Sequence, residues 1–345
     1  MLRSVSTVVL TAAVFVGSAV WSPLPGTAAA RAQTVSAVEP VADLAPHREA
    51  ALEIVRQAAR SDNAQLRTHA LEAVQYAPDL ALPLVTLGLD DDSPAVRFTA
   101  LYAAGQLRLT GLTGMFGEAF RRDEPAPGRD HVRAAIIFAA ARCGAADDRI
   151  ITQMANLLQH PDPRVRSNAA LLTGELGNPT AIPLLRHSVH KPMGNKIAGI
   201  HWQLLSIQVA EALAKLDDPN GLAELRRSAY STFDEVRVLS VQALGRLGDD
   251  AFWANMNNFL VENPIEFRLA AAEGLARLGR ERGGMLSVMA EAASHRLDTV
   301  RAQAAFALGP YDHDLARSHL VRLMRDRNPL VRIAAATAVL EATDR

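Results

Sequence analysis

A chain of 345 residues with 36 Lys plus Arg against 37 Asp plus Glu has a formal net charge of −1, which argues against a strongly basic nucleic-acid binder. Apolar residues reach 49% and charged ones 21%, too apolar for a disordered chain, while aromatics supply only 5%, so the core has to be built from Ala, Leu, Val and Ile. The single cysteine, Cys143, excludes an intramolecular disulfide and a multi-thiolate metal site.

The N-terminus opens with a short basic start (Arg3), an uncharged apolar run from Val8 to Trp21, and a stretch of Pro, Gly and small residues through Ala32. This is the layout of a secretory signal peptide, and the run is short of the about 20 residues that a membrane-spanning helix needs. Two Ala-x-Ala sites end at Ala30 and Ala32, and cleavage is expected after Ala32. Removal of residues 1–32 takes away Arg3 and Arg31 and leaves 34 basic against 37 acidic residues, a charge of −3. Residues 33–44 are expected as a flexible lead-in, and 45–345 as the folded body.

From there one phrase recurs: an acid or Pro, then Val-Arg, then an Ala-rich stretch ending in Leu-Gly-x-Leu or a degraded form of it. It places an arginine column at Arg67, Arg97, Arg133, Arg166, Arg237, Arg268, Arg301 and Arg332. A degenerate copy at Ser206 fills the one gap, giving spacings of 30, 36, 33, 40, 31, 31, 33 and 31 and nine units in all. After each Arg, small apolar residues fall at +3, +6 and +7, the helical i, i+3, i+4 pattern, as in Ser240, Ala243 and Leu244. The other half of each unit carries a second apolar pattern, as in Leu320, Leu323 and Met324. Gly105, Gly174, Gly177, Gly245, Gly248, Gly279 and Gly309 fall where a helix should stop, and Asp or Asn precedes the second helix as a cap. Each unit is thus a helical hairpin that must stack on its neighbours to bury both faces, which predicts a curved all-helical solenoid.

The phrase Asp-x-x-Val-Arg-x-x-Ala-Ala-x-Ala-Leu-Gly-x-Leu, clearest at 234–247 and 298–309, resembles the HEAT repeat, specifically the short bacterial subtype first named from phycobilisome lyases. The resemblance covers about residues 45 to 345. It implies an all-α, right-handed α-α superhelix of the HEAT and armadillo-like kind with about nine helical hairpins, and is nearly silent on function.

Among residues that could carry chemistry, the arginine column reads as a ladder of pairs between adjacent second helices, since a ligand site would not recur in almost every repeat. Cys143 falls in a leucine column shared with Leu107, Leu176 and Leu247 and reads as a buried apolar substitute. His187, His190 and His201 crowd together without metal-ligand spacing, and the His-Glu dipeptides of the di-iron relatives in this superfamily are missing, so no metal or other cofactor is expected. Two features are candidate partner-binding sites. Position +5 from the Arg varies from Glu72 through Tyr102, Phe138 and Leu171 to Glu211 and beyond, and Tyr102, Phe138 and Leu171, with Phe98 beside them, are expected as an apolar stripe on the concave face. The longest interval, Val189 to Trp202, holds two of the three lysines, Lys191 and Lys196, and ends on Trp202.

Together these features predict an exported, periplasmic or secreted bacterial protein that holds another protein on its concave face as a non-enzymatic scaffold or assembly factor. Nucleic acid and stable membrane insertion are not expected. The resemblance to chromophore lyases implies a cofactor-handling enzyme as the alternative, with no catalytic residue to carry over. A glycosylase-like nucleic-acid reading is opposed by the charge of −3 and the acids at +5.

Overall fold

The computed structural model describes residues 39–122, 130–145, 148–190, 199–281 and 283–344, and no strand occurs among them. Among the described residues eighteen α-helices form nine hairpins. They are α1 (Arg48–Ala59) with α2 (Ala64–Ala73), α3 (Pro78–Leu89) with α4 (Pro94–Gln106), and α5 (Thr113–Arg122) with α6 (Asp130–Arg142). Next come α7 (Asp148–Leu157) with α8 (Pro163–Leu176), α9 (Ile182–His190) with α10 (Gly199–Lys215), and α11 (Pro219–Ser228) with α12 (Asp234–Arg246). The last three are α13 (Trp253–Phe259) with α14 (Ile265–Arg277), α15 (Met285–Ala293) with α16 (Asp298–Leu308), and α17 (Asp314–Leu323) with α18 (Pro329–Thr343). The arginine column and Ser206 sit on the even-numbered helices, one per unit.

Burial separates the two sets of helices. The even-numbered helices are apolar or small nearly all round, as in α8, where Val165 to Gly174 is buried without a break, so they form an inner layer. The odd-numbered helices bury one stripe, such as Gly221, Leu225 and Ser228 of α11, and turn the rest to solvent. Alanine and glycine let the inner helices approach closely: a Cβ built on Gly245 would lie 2.6 Å from Cα of Gly274 on the next inner helix. Gly105, Gly174 and Gly245 therefore serve helix packing and are not the stops that their place in the repeat suggests. Gly177, in the left-handed conformation with φ 71°, does end α8.

Caps also divide along the chain. Asn63, Asp162 and Asn328 accept the backbone N–H two residues on, as expected for residues opening a second helix. In units 6, 7 and 8 the same position holds Phe233, Pro264 and Leu297, none of which makes a side-chain cap.

Each inner helix packs on the next, and the series closes: α18 packs on α1 and α2 as every other inner helix packs on the unit that follows it. The guanidinium of Arg48 donates to the carbonyl of Leu340 (3.4 Å), to Oγ1 of Thr343 (2.6 Å) and to the carbonyl of Tyr76 (2.9 Å). Ahead of α1, the Val41 N–H donates to Oγ of Ser318 (2.8 Å), Ser318 donates to the carbonyl of Glu39 (2.6 Å), and Arg317 donates to the carbonyl of Val41 (2.9 Å). Residues 39–44 are thus docked on α17, not a loose lead-in, and Leu44 is buried in the same core as Val331 and Leu340. The superhelix is a closed ring of nine units. Its thinnest joint between consecutive inner helices is α10 to α12, where Ser206 replaces the arginine.

Candidate functional site: the charged axis of the ring

Helical periodicity assigns positions +2, +5 and +9 from the column arginine to one stripe of each inner helix, and closure aims all nine stripes at the axis. The +5 layer runs Glu72, Tyr102, Phe138, Leu171, Glu211, Gln242, Glu273, Phe306 and Thr337, and all but Tyr102 are buried. The +9 layer includes Gln106, Arg142, Glu175, Lys215, Arg246, Arg277 and Glu341. Long charged side chains thus meet where an open solenoid would present a groove.

They meet as a network. Lys215 lies 2.6 Å from Glu175 and 3.2 Å from Glu211, and Arg246 lies 3.0 Å from Glu211. Gln106 donates to Glu175 at 2.9 Å and to the hydroxyl of Tyr102 at 2.7 Å. On the other side of the axis Arg277 pairs with Glu273 (2.9 Å) and Glu341 (3.4 Å), Gln242 donates to Glu273 (3.2 Å), and His69 meets Glu72 at 2.7 Å. The bonds Gln106 to Glu175 and Arg277 to Glu341 each skip a unit, which requires a lumen no wider than two side chains.

The electrostatics follow from burial and pairing. Burial would raise the Glu211 carboxyl, but Arg246 and Lys215 outweigh it and hold the group down at about 2. Burial would lower the Lys215 ammonium, but Glu211 and Glu175 reverse the sign and hold it above its ordinary value. Burial, reinforced by Glu175, pushes the Tyr102 phenol well above its ordinary range. The Glu72 carboxylate outweighs desolvation at His69 and raises it. A catalytic carboxylate or amine is poised near working pH. Glu211 and Lys215 are driven away from it in opposite directions, so each is locked in its charged form as half of an ion pair.

The predicted partner-binding residues fall in three places. Phe98 (1% exposed), Phe138 (0%) and Leu171 (3%) are core side chains, and the Tyr102 ring stacks on Phe138 at 5.5 Å between centroids. The expected concave stripe exists as a contact between consecutive units but is not exposed, because the ring curves tightly enough to fill its own groove. Trp202 is half-buried near the start of α10, while Lys191 and Lys196 lie outside the described residues. Cys143 is buried, its Sγ 3.6 Å from the carbonyl oxygen of Ala104, and burial pushes its thiol up. Among the described residues no group of three or more His, Cys, Asp or Glu is arranged to hold a metal ion.

The arginine column links units, though not through a neighbouring cap. Arg67 reaches Asp91 (2.6 Å), Arg237 reaches Glu262 (2.5 Å), Arg268 reaches Glu291 (2.9 Å) and Arg301 reaches Asp326 (2.8 Å), each acid belonging to the following unit. Arg133 donates to Gln153 and Arg166 to the carbonyl of Ser188, again one unit on. Arg97 and Arg332 donate to carbonyls in the turns of their own units, at Asp91 and Asp326.

A ring of stacked helical hairpins with an inter-unit arginine ladder defines a repeat solenoid of the α-α class. The sequence profile of HEAT repeats matches residues 126–196 and 258–341, and the chain carries HEAT repeats there. No protein of curated function matches the sequence significantly. Among solved structures, human deoxyhypusine hydroxylase is similar at 17% identity, with 80% of this chain and 99% of that chain covered and a TM-score of 0.37. The complex of CpcE and CpcF of phycocyanin lyase from a Nostoc strain is similar at 17% identity, with 75% and 94% covered and a TM-score of 0.38. The karyopherin Kap121p is similar at 14% identity, with 83% of this chain and 37% of that chain covered and a TM-score of 0.35.

Proposed function

We propose that this HEAT-repeat ring is an exported, non-enzymatic binding scaffold that engages a protein partner from its rim or outer surface. The observation that carries the reading is the ionic lock on the axis: Glu175, Glu211, Lys215, Arg246, Glu273, Arg277 and Glu341 pair with one another, with the Glu211 carboxyl held below and the Lys215 ammonium above its ordinary value. The concave face expected from sequence is filled by these groups, so recognition moves outward. Export is supported by the basic start, apolar run and Ala-x-Ala sites of residues 1–32. No described helix is long and apolar enough to cross a membrane.

The test has two parts. Mass spectrometry of the protein from its native cells is expected to find an N-terminus just after Ala32, and a retained Met1 refutes export. A photo-crosslinking residue placed in turn at exposed positions of the rim and the outer helices is expected to give a discrete adduct with another protein. Absence of an adduct from every position, with the protein intact and folded, refutes the scaffold reading.

A further inference from the structure

The edge of the ring that carries the turns between first and second helices is polar in most described units and apolar in one sector. Seven residues before the column arginine stand Arg60, Asp90, Gln159, Ser294 and Arg325, but units 6 and 7 put Tyr230 and Val261 there, 58% and 85% exposed. Four residues before the arginine, the capping position, units 6 to 8 have Phe233, Pro264 and Leu297 in place of a capping side chain, with Phe233 37% exposed. At the near end of the strip Gln203 of unit 5 accepts a hydrogen bond from Ser231 in the turn of unit 6 (2.7 Å). A helix start that gives up its cap in three consecutive units loses local stability and exposes carbon to water, and both costs point to recognition.

Around Tyr230 the strip is already packed before anything binds. The Tyr230 hydroxyl accepts from Nδ2 of Asn255 (2.5 Å), and its ring meets Phe259 edge-on at 5.5 Å and Phe252 at 6.2 Å. Phe259 in turn packs on Phe267, over which the guanidinium of Arg237 lies at 3.7 Å. Preorganised aromatic side chains lose little entropy on binding.

Charge selects the occupant. Asp234, Glu235, Glu262 and Glu266 flank the apolar residues of units 6 and 7. Arg237 is shared between Asp234 (3.4 Å) and Glu262 (2.5 Å), and Arg268 is turned away to Glu291 of the next unit. In units 6 and 7 the apolar residues therefore have a net negative border, while in unit 8 the exposed Arg296 and Asp298 on either side of Leu297 balance. We propose that the rim of units 6 to 8 is the docking surface for a protein segment that presents aliphatic or aromatic side chains flanked by Lys or Arg. This rests on the scaffold reading and locates its contact; an acidic segment or an anionic lipid surface is the wrong charge for the border.

The test uses the purified protein and three fluorescent 15-residue peptides: a Leu/Phe centre with lysine flanks, the same centre with glutamate flanks, and a serine centre with lysine flanks. Fluorescence anisotropy is expected to show the first binding at least tenfold more tightly than either control. Val261→Lys is expected to lose at least tenfold of that affinity, while Leu82→Lys, at an exposed leucine on α3, leaves it unchanged. Equal binding of the lysine- and glutamate-flanked peptides, or a Val261→Lys protein that binds as tightly as wild type, overturns the proposal. So does self-association in sedimentation that Val261→Lys abolishes, since the occupant is then a second copy. In cells, adducts from a photo-crosslinker at Leu82 or Leu87 with none at Val261 overturn this surface and keep the scaffold, whereas no adduct from any position overturns both.

Discussion

Replacing Glu211 by Gln tests whether the axial network holds the ring together. The carboxylate is buried, 3.0 Å from Arg246 and 3.2 Å from Lys215, and its pKa lies at about 2 against an ordinary 4.5. At about 1.4 kcal/mol per unit, that depression stabilises the folded ring by about 3 kcal/mol when the group is ionised. A carboxyl lowered on folding gives its full contribution above the unfolded value, near 4.5, and loses it as pH falls toward 2. Glu211→Gln deletes this contribution and leaves Arg246 and Lys215 with one buried counter-charge fewer, so a loss of about 3 to 5 kcal/mol is expected at pH 7. Urea unfolding followed by circular dichroism at pH 7, 5 and 3 measures it; urea is preferred to guanidinium because it does not screen charge. The wild type should lose more stability than the variant between pH 5 and 3, bringing the two curves together. A variant that loses less than about 1 kcal/mol at pH 7, or that keeps the full acid slope, refutes the assignment of the axis as a stabilising ionic lock.

His319, buried on α17 beside Arg322, is held down at about 4 by desolvation first and by the neighbouring guanidinium second. Its stabilisation is complete above 6.5 and lost as pH falls toward 4, so His319→Gln is expected to remove a slope in the pH 6.5 to 4 window that Glu211→Gln leaves in place, read by thermal melts across that range. Arg48→Ala removes two hydrogen bonds across the seam, to Leu340 and Thr343, and one within its own unit, to Tyr76, and is expected to cost about 2 to 3 kcal/mol and to raise amide hydrogen exchange in α1 and α18 before other helices; uniform exchange would argue against a seam. Gly245→Ala sets a methyl 2.6 Å from Cα of Gly274, where only backbone can give way, and is expected to destabilise by about 3 kcal/mol, more than Gly111→Ala, whose added carbon meets nothing within 4 Å.

Much of the architecture is legible in the residues. The Val-Arg phrase counts nine units and sets the inner helices, because a fixed side chain at a fixed register is what stacking of identical hairpins demands. The missing arginine at Ser206 marks the thinnest joint for the same reason. Closure is not legible, since it is the sum of small rotations between units and no single residue encodes it. That is why Phe138 and Leu171, expected from sequence as an exposed stripe on the concave face, are buried: the concavity has closed on itself. The glycines mislead at Gly105 and Gly245, where absence of a side chain serves helix approach rather than a left-handed turn. The rim strip does carry a signal, the replacement of polar caps by Phe233, Pro264 and Leu297, which appears once residues are compared down the capping column instead of along the chain.

A solenoid with free ends can gain or lose a unit and remain a solenoid. With α18 seated on α1 and α2, a tenth unit would displace Arg48 from Leu340 and Thr343 and separate Arg277 from Glu341. Growth by a whole unit is therefore incompatible with this seam, whereas a change of length inside one unit leaves it untouched. Duplication, the usual way for repeat arrays to diversify, is closed to the ring.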